Sequence, residues 1–275
     1  MRKLKDFILQ PCKNNKYIFQ IVLFIIKLTG NKIYKERLLK IKGEKKYFES
    51  IGFNPIIRSG PFKGMIYPEL SSVGSELAPK IIGSYEEELL PAINYFLSQS
   101  YSDIIDVGCA EGYYAVGFAM KTQNTKVHAY DIDSKALTLC REMAKLNNVE
   151  SRIAFNKFCF PETLMNFNFK GKGLIICDCE GYEKTLFNLK NIENLKNCDF
   201  LIELHDNKLE GVSNYLLPIL SKYHEVQIIS SSRRNPAKFP ELSHFSPVEQ
   251  TLILSECRNG ILDEGSMDWA FVKSK

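Results

Sequence analysis

The chain has 275 residues, 45% of them apolar and 25% charged, with a formal net charge of +4. Those proportions exclude disordered, collagen-like and disulfide-scaffold chains. The length suits one large α/β domain with an appendage, and so small a net charge implies no partner by itself.

The charge is unevenly placed. Residues 1–50 hold thirteen Lys or Arg against four Asp or Glu, and the rest of the chain is mildly acidic. The first fifty residues therefore read as a basic, partly apolar helical arm. Within it, "YIFQIVLFIIKL" over 17–28 is the longest apolar run. A spanning helix needs about twenty such residues, so this run is too short. It also begins too far in, with no small-x-small site after it, for a signal peptide. Its basic flanks, Lys13, Lys16, Lys27 and Lys32 among them, suit a helix lying on an anionic membrane surface, or one packed on the main domain or a second subunit. The expectation is a cytoplasmic protein, peripheral to a membrane through this arm or joined there to a second copy. Eight cysteines, at 12, 109, 140, 159, 177, 179, 198 and 257, show no CxxC and no zinc spacing. They read as reduced structural thiols.

Residues 51–83 are rich in Gly, Pro and Ser and read as loops or short hairpins. The main domain is drawn over 84–275. Ser84 with Glu87 forms a capping-box pattern, and Leu89, Leu90, Ile93, Phe96 and Leu97 follow at helical spacing. Strand "DIIDV" comes next, then a helix over about 112–122, strand "KVHAYDI", a helix over about 134–147 and a short strand "RIAF". After a loop follow strand "GLIICD", helix "EKTLFNLKNIENL", strand "DFLIEL", helix "GVSNYLLPILSKY" and strand "EVQIIS". The strands are continuous apolar runs, as when helices cover both faces, so the pattern is a doubly wound, mostly parallel α/β sheet. A long polar loop, "SSSRRNPAKFPELSHFSP", sits where a substrate lid would, and "QTLILSE" and "WAFVKS" read as two closing strands.

In such sheets ligands bind at the carboxyl ends of the strands. The first strand ends "DVGCAEG", where Gly108 and Gly112 allow a tight turn and close backbone approach. The spacing is not the three-glycine fingerprint of a nicotinamide domain, which weighs against an oxidoreductase. It suits a ligand whose middle is an amino-acid chain, with S-adenosylmethionine the obvious candidate. Asp131, twenty-five residues after Asp106, stands where a carboxylate accepts ribose hydroxyls, while Asp133 or Ser134 caps the following helix.

The run "DVGCAEGYY…AYDID" resembles the first two motifs of class I S-adenosylmethionine-dependent methyltransferases, with Ala110 where a central glycine often stands. The run "LIICDCEGYEKTLFNL…DFLIELHD" resembles the FkbM-type branch. Together they cover about residues 84–230. The resemblance implies a Rossmann-like seven-stranded methyltransferase fold and O-methylation of a sugar, glycan or natural product. It also implies a cofactor seat from Asp106, Gly108, Cys109, Gly112, Tyr113, Asp131, Ile132 and Asp178, with Tyr85 reaching over it.

At the acceptor end stand Asp178, Glu180, Glu183, Glu203, His205 and Asp206. His205, as a neutral imidazole, is the candidate general base, with Asp178 orienting it or taking the proton itself and Glu180 close by. Asp178, Glu203, His205 and Asp206 are also able to hold Mg²⁺, although nothing in their spacing requires a metal. Glu183 suits the dipole of the following helix. Arg233 and Arg234 grip an anionic group or are simply solvated. No basic-aromatic stripe suits a nucleic acid. The alternatives are an N-methyltransferase on protein or RNA, whose Asn/Asp-Pro-Pro-aromatic run is missing after the fourth strand, and a non-catalytic binding relative.

Overall fold

The computed structural model describes residues 32–206, 208–256 and 267–275. The apolar run over 17–28, and with it the membrane-surface expectation, lies outside the described residues. So do Cys12 and Cys257. Among the described residues no helix is long and apolar enough to cross a membrane.

Seven strands form one sheet: β1 (Asp103–Val107), β2 (Lys126–Tyr130), β3 (Ile153–Asn156), β4 (Gly173–Cys177), β5 (Cys198–Leu204), β6 (His224–Ser230) and β7 (Asp268–Ser274). Their order is β3-β2-β1-β4-β5-β7-β6. The first five are mutually parallel, and β7 runs antiparallel to both β5 and β6. From β1 the chain builds outward to β2 and β3, then returns to place β4 on the other side. The junction of β1 and β4 is thus the switch point where a ligand crevice opens.

Side chains of period two separate the two faces. Ile104, Leu174 and Leu201 enter one apolar cluster, while Ile105, Ile175, Phe200 and Ile202 enter the other. On the first face lie α4 (Tyr113–Lys121) and α5 (Ser134–Leu146). The second is covered by α7 (Glu183–Leu186), α8 (Leu189–Asn194) and α9 (Val212–Ser221). The doubly wound reading is therefore correct, the continuous apolar strands being buried on both faces.

The segments before β1 join the same core. Helix α1 (Lys32–Ser50) packs on α10 (Pro247–Leu254). The Lys40 ammonium donates to the carbonyls of Leu252 (2.9 Å) and Ser255 (2.6 Å), at the C-terminal end of α10. Tyr47 is fully buried in the first-face core. From Lys32 onward, then, the basic arm is part of the domain. The loops over 51–83 contain one antiparallel bridge, Ile56 to Ile66, and an unforeseen helix α2 (Leu77–Ile82). Between them Phe62 packs edge-on against Tyr113, Tyr114 and Phe118.

Three local expectations fail. "QTLILSE" is not a strand but most of α10, which starts at a capping box of Ser246 and Glu249 with Pro247 at its first turn. "EKTLFNLKNIENL" breaks at Phe187–Asn188, where extended Asn188 caps α8 by accepting from the N–H groups of Lys190 and Asn191. Ser84 and Glu87 make no capping box. The chain instead turns through Glu86 in left-handed conformation (φ 49°), and α3 (Leu90–Ser98) begins later, with Pro91 in its first turn.

Candidate active site

A cleft of about 540 Å³ opens at the carboxyl ends of β1, β2, β4 and β5, within the range of small-molecule sites. Asp106, Gly108 and Cys109 form its β1 wall, Asp131 and Ile132 its β2 wall, and Asp178 and Glu180 the end of β4. Glu203 and His205 close the β5 side, and Tyr85, Glu86 and Tyr113 cover it from above. Except for Gly112 and Asp206, every residue singled out for cofactor, catalysis or metal faces this space.

The glycine turn is built tightly. Gly108 has φ +84°, and a Cβ there would lie 1.7 Å from the carbonyl oxygen of Asp178, so only glycine lets β1 pass the end of β4. Ala110 also stands in left-handed conformation, φ 48°, the geometry that a glycine in its place adopts without strain. Its N–H donates to Asp131 Oδ2 (2.8 Å), and Asp133 N–H donates to Asp131 Oδ1 (2.8 Å). Each oxygen retains a lone pair for a ligand hydroxyl. Gly112 does not line the cleft. It precedes α4, and a Cβ there would meet Cys140 Sγ at 2.6 Å, so its smallness serves helix packing.

Asp106 is 2% exposed, and its Oδ2 has no hydrogen-bond partner among the described residues. Burial pushes its carboxyl up to about 7, against a backbone hydrogen bond from Ala115 that favours the anion. An orphaned buried acceptor in a glycine turn fits a cationic donor. Beside it lie the Asp131 carboxylate and, further out, the apolar surfaces of Ile132 and Phe158. That donor set fits S-adenosylmethionine: an ammonium at Asp106, ribose hydroxyls at Asp131, and an adenine against the apolar wall.

At the far end, four acidic residues surround His205, which is 1% exposed. Its Nδ1 hydrogen bonds to Glu183 Oε1 (2.7 Å), and its Nε2 lies 3.3 Å from Glu203 Oε2 and 3.4 Å from Asp178 Oδ1. Glu180 Oε2 is farther, at 4.0 Å, and pairs with Lys208 at 2.5 Å. Burial alone would lower the His205 pKa, but Glu183, Glu203 and Asp178 outweigh it and hold the ring up to about 11. The neutral imidazole expected for a general base is thus not what these neighbours favour: they favour the cationic ring. Burial, then the Glu203 charge, pushes Asp178 well above the usual carboxylate range. Its side chain is 35% exposed to the cleft.

Asp206 does not join the group. Its carboxylate accepts from Ser213 N–H (3.1 Å) and from the Ser213 hydroxyl, at the start of α9. Arg234 is buried between Glu88 and Glu256, tying the long 231–246 loop to the turn before α3. Glu256 also accepts from Glu86 N–H (3.1 Å), and the Tyr114 hydroxyl donates to Glu86. A second buried pair, Lys80 and Glu111 at 2.5 Å, joins α2 to the glycine turn. Glu111 further accepts from Val73 N–H (2.9 Å) and Ser72 Oγ (2.8 Å). None of these long-range pairs has a spacing that a linear reading detects. Glu183 had a signal, being one helical turn past Cys179, but a helix-dipole role explained it equally well. Glu86, Ala110 and Glu180 all have positive φ and all line the cleft, the strain that functional sites commonly store.

Residues 89–169 match the family model described as the methyltransferase small domain. Over 80 residues, 28% of this chain, the sequence is 36% identical to the ribosomal protein L11 methyltransferase of Caldicellulosiruptor saccharolyticus. The chain spans about a quarter (26%) of that curated relative's length. Among solved structures, a putative O-methyltransferase from Klebsiella pneumoniae is similar at 9% identity and TM-score 0.47, covering 92% of this chain and 96% of that one. The O-methyltransferase TomG from Streptomyces achromogenes, solved in complex with SAM, is similar at 8% identity and TM-score 0.43, covering 86% and 89%. The strand order, with its antiparallel last strand, makes a Rossmann-like sheet, and residues 89–169, which hold its first glycine turn, match the methyltransferase small domain.

Proposed function

We propose that the protein is an S-adenosylmethionine-dependent O-methyltransferase of FkbM type, acting on a hydroxyl of a sugar, glycan or small molecule. The observation that carries this reading is the cleft's polarity. A glycine turn with an orphaned carboxyl and a ribose-type carboxylate occupies one end, and Asp178, Glu203 and His205 converge at the other. S-adenosylmethionine supplies an activated methyl group. The chain's residues hold it through Asp106, the turn at Gly108–Ala110, and Asp131, and they place the acceptor in line with the methyl. An acceptor hydroxyl entering beside Asp178 loses its proton to that carboxylate, which burial has made more basic than usual. Transfer to that oxygen would form the oxygen–carbon bond as the sulfur–carbon bond broke, giving S-adenosylhomocysteine and a methyl ether. His205, clamped by Glu183, orients Asp178 and offsets its charge.

The protein methyltransferase among the relatives supports a second reading, methylation of a protein amine. Its match covers only the cofactor half, which both readings share. The test is calorimetric titration with S-adenosylhomocysteine, with NAD⁺ as comparison, followed by methyl transfer to sugar, glycan and protein acceptors. Saturable binding of S-adenosylhomocysteine alone, with label in a base-stable methyl ether, is expected. Label in a protein amine would replace the O-methyl reading, and no binding would remove both.

A further inference from the structure

Resting on that reading of the acceptor end, we infer that Asp178, Glu203 and His205 form a divalent transition-metal site of the four-coordinate Zn²⁺ type, with its fourth position open to the cleft. Their ligand atoms lie within 4.8 Å of one another. The edges from His205 Nε2 are 3.4 Å to Asp178 and 3.3 Å to Glu203. A tetrahedral ion with bonds of about 2.0–2.2 Å has ligand atoms about 3.3–3.6 Å apart. The cluster is therefore already spaced to close on an ion with little movement.

The donor set selects the ion. An imidazole nitrogen with two carboxylates suits Zn²⁺ or its neighbours, whereas Mg²⁺ prefers oxygen donors alone and keeps several waters. The surroundings of His205 point the same way. Glu183, fully buried, accepts a hydrogen bond from Nδ1 at 2.7 Å and fixes the ring's orientation, so that an ion arriving between the two carboxylates would displace only the Nε2 proton. Metal-bound histidines are held from behind in this manner. The same Glu183 oxygen also accepts from Cys179 N–H (3.0 Å), which fixes the carboxylate behind the ring, while its other oxygen is buried with no hydrogen-bond partner among the described residues. Glu203 and His205 are each under a tenth exposed, while Asp178 reaches the cleft, leaving the open side toward the acceptor. An acceptor oxygen on that fourth position would meet the ion's full charge.

The full chain, stripped with a chelator, is titrated with Zn²⁺ and Mg²⁺ by calorimetry and with Co²⁺ by visible absorption. Expected are one saturable Zn²⁺ site, a four-coordinate Co²⁺ spectrum and no matching Mg²⁺ affinity. Asp178→Asn, at a partly exposed position that tolerates the change, and Glu203→Gln should each weaken Zn²⁺ by tenfold or more. Glu183→Gln should weaken it by roughly 10–100-fold through the ring's orientation. Absence of binding, equal Mg²⁺ affinity, or undiminished affinity in Asp178→Asn overturns the site. So does a thiolate-to-cobalt charge-transfer band lost in Cys179→Ser, which would put the ion on Cys177 and Cys179, whose sulfurs lie 3.4 Å apart. S-adenosylhomocysteine titrated into the same samples keeps the two readings separate. Its binding without Zn²⁺ removes the metal site alone, and Zn²⁺ without it removes the methyltransferase reading alone.

Discussion

Asp131 and Ala110 show how single residues share the glycine turn. The Asp131 carboxylate is held at both oxygens by backbone N–H groups, one of them from Ala110, so it arrives at the cleft already oriented. Asp131→Ala should remove the anchor of the turn and, on the proposed function, the acceptor for the cofactor's ribose. Weakening of S-adenosylhomocysteine binding by at least about tenfold, or 1.4 kcal/mol, is expected in calorimetry; unchanged affinity would remove the assigned role. Ala110 holds a positive φ at a cost of roughly 1–2 kcal/mol. Ala110→Gly relieves that strain, while the freer unfolded chain takes back roughly 0.4–1 kcal/mol. A small net gain in urea-denaturation stability is expected, with the glycine turn kept. A loss above about 1 kcal/mol would mean that the alanine methyl is packed rather than strained. Asp106, Gly108 and Asp131 were legible as a site because they fall at fixed distances after apolar strands. His205 was legible as a candidate but not its charge, since Glu183, twenty-two positions away, reaches it only through the fold.

Among elements, what could be read from sequence was whatever the local pattern determines. Strands β1, β4 and β5 announce themselves as mainly apolar runs because both faces are covered. α10 did not, because "QTLILSE" is as apolar and β-branched as a strand; its start signal, Ser246-Pro247-Val248-Glu249, lies just upstream. α2 and the buried loops over 51–83 were also hidden, since Gly, Pro and Ser mark turns but not whether those turns are packed into a core. Here one buried pair does the joining. Lys80 on α2 and Glu111 in the glycine turn are each under 4% exposed. Lys80→Met leaves the Glu111 charge buried, with Ser72, Val73 and Tyr67 as its remaining donors. Breaking one side of such a pair costs roughly 3–5 kcal/mol. That loss should appear in urea denaturation, together with weaker S-adenosylhomocysteine binding as the turn loosens. The double variant Lys80→Met, Glu111→Leu should recover part of the stability; a single variant as stable as wild type would show that the pair contributes nothing net.

The molecule as a whole carries the balance of these buried acids in its pH dependence. Asp106 is the group whose sign is plainest. Its carboxyl is raised from 3.8 to about 7 by burial. Between those values the unfolded chain is ionised at this residue while the folded one keeps the proton. The stability it confers is therefore fully present below about pH 4 and is lost as pH rises through 7, a swing of ~4 kcal/mol. Glu111 and Glu183, whose pKa values are lowered because Lys80 and His205 outweigh burial, act in the opposite sense: their contribution is present above the ordinary carboxylate range and is lost on acidification. Comparing wild type with Asp106→Asn cancels everything but the first effect. The variant should gain on wild type between pH 5 and pH 8 in urea denaturation, and parallel profiles would show that Asp106 is not buried against its charge. The cofactor's ammonium would reverse the penalty by pairing with the ionised carboxylate. Saturating S-adenosylhomocysteine should then stabilise wild type more at pH 8 than at pH 5, and that excess should vanish in Asp106→Asn. If the excess persists in the variant, the amine is held elsewhere and the orphaned oxygen serves the fold alone.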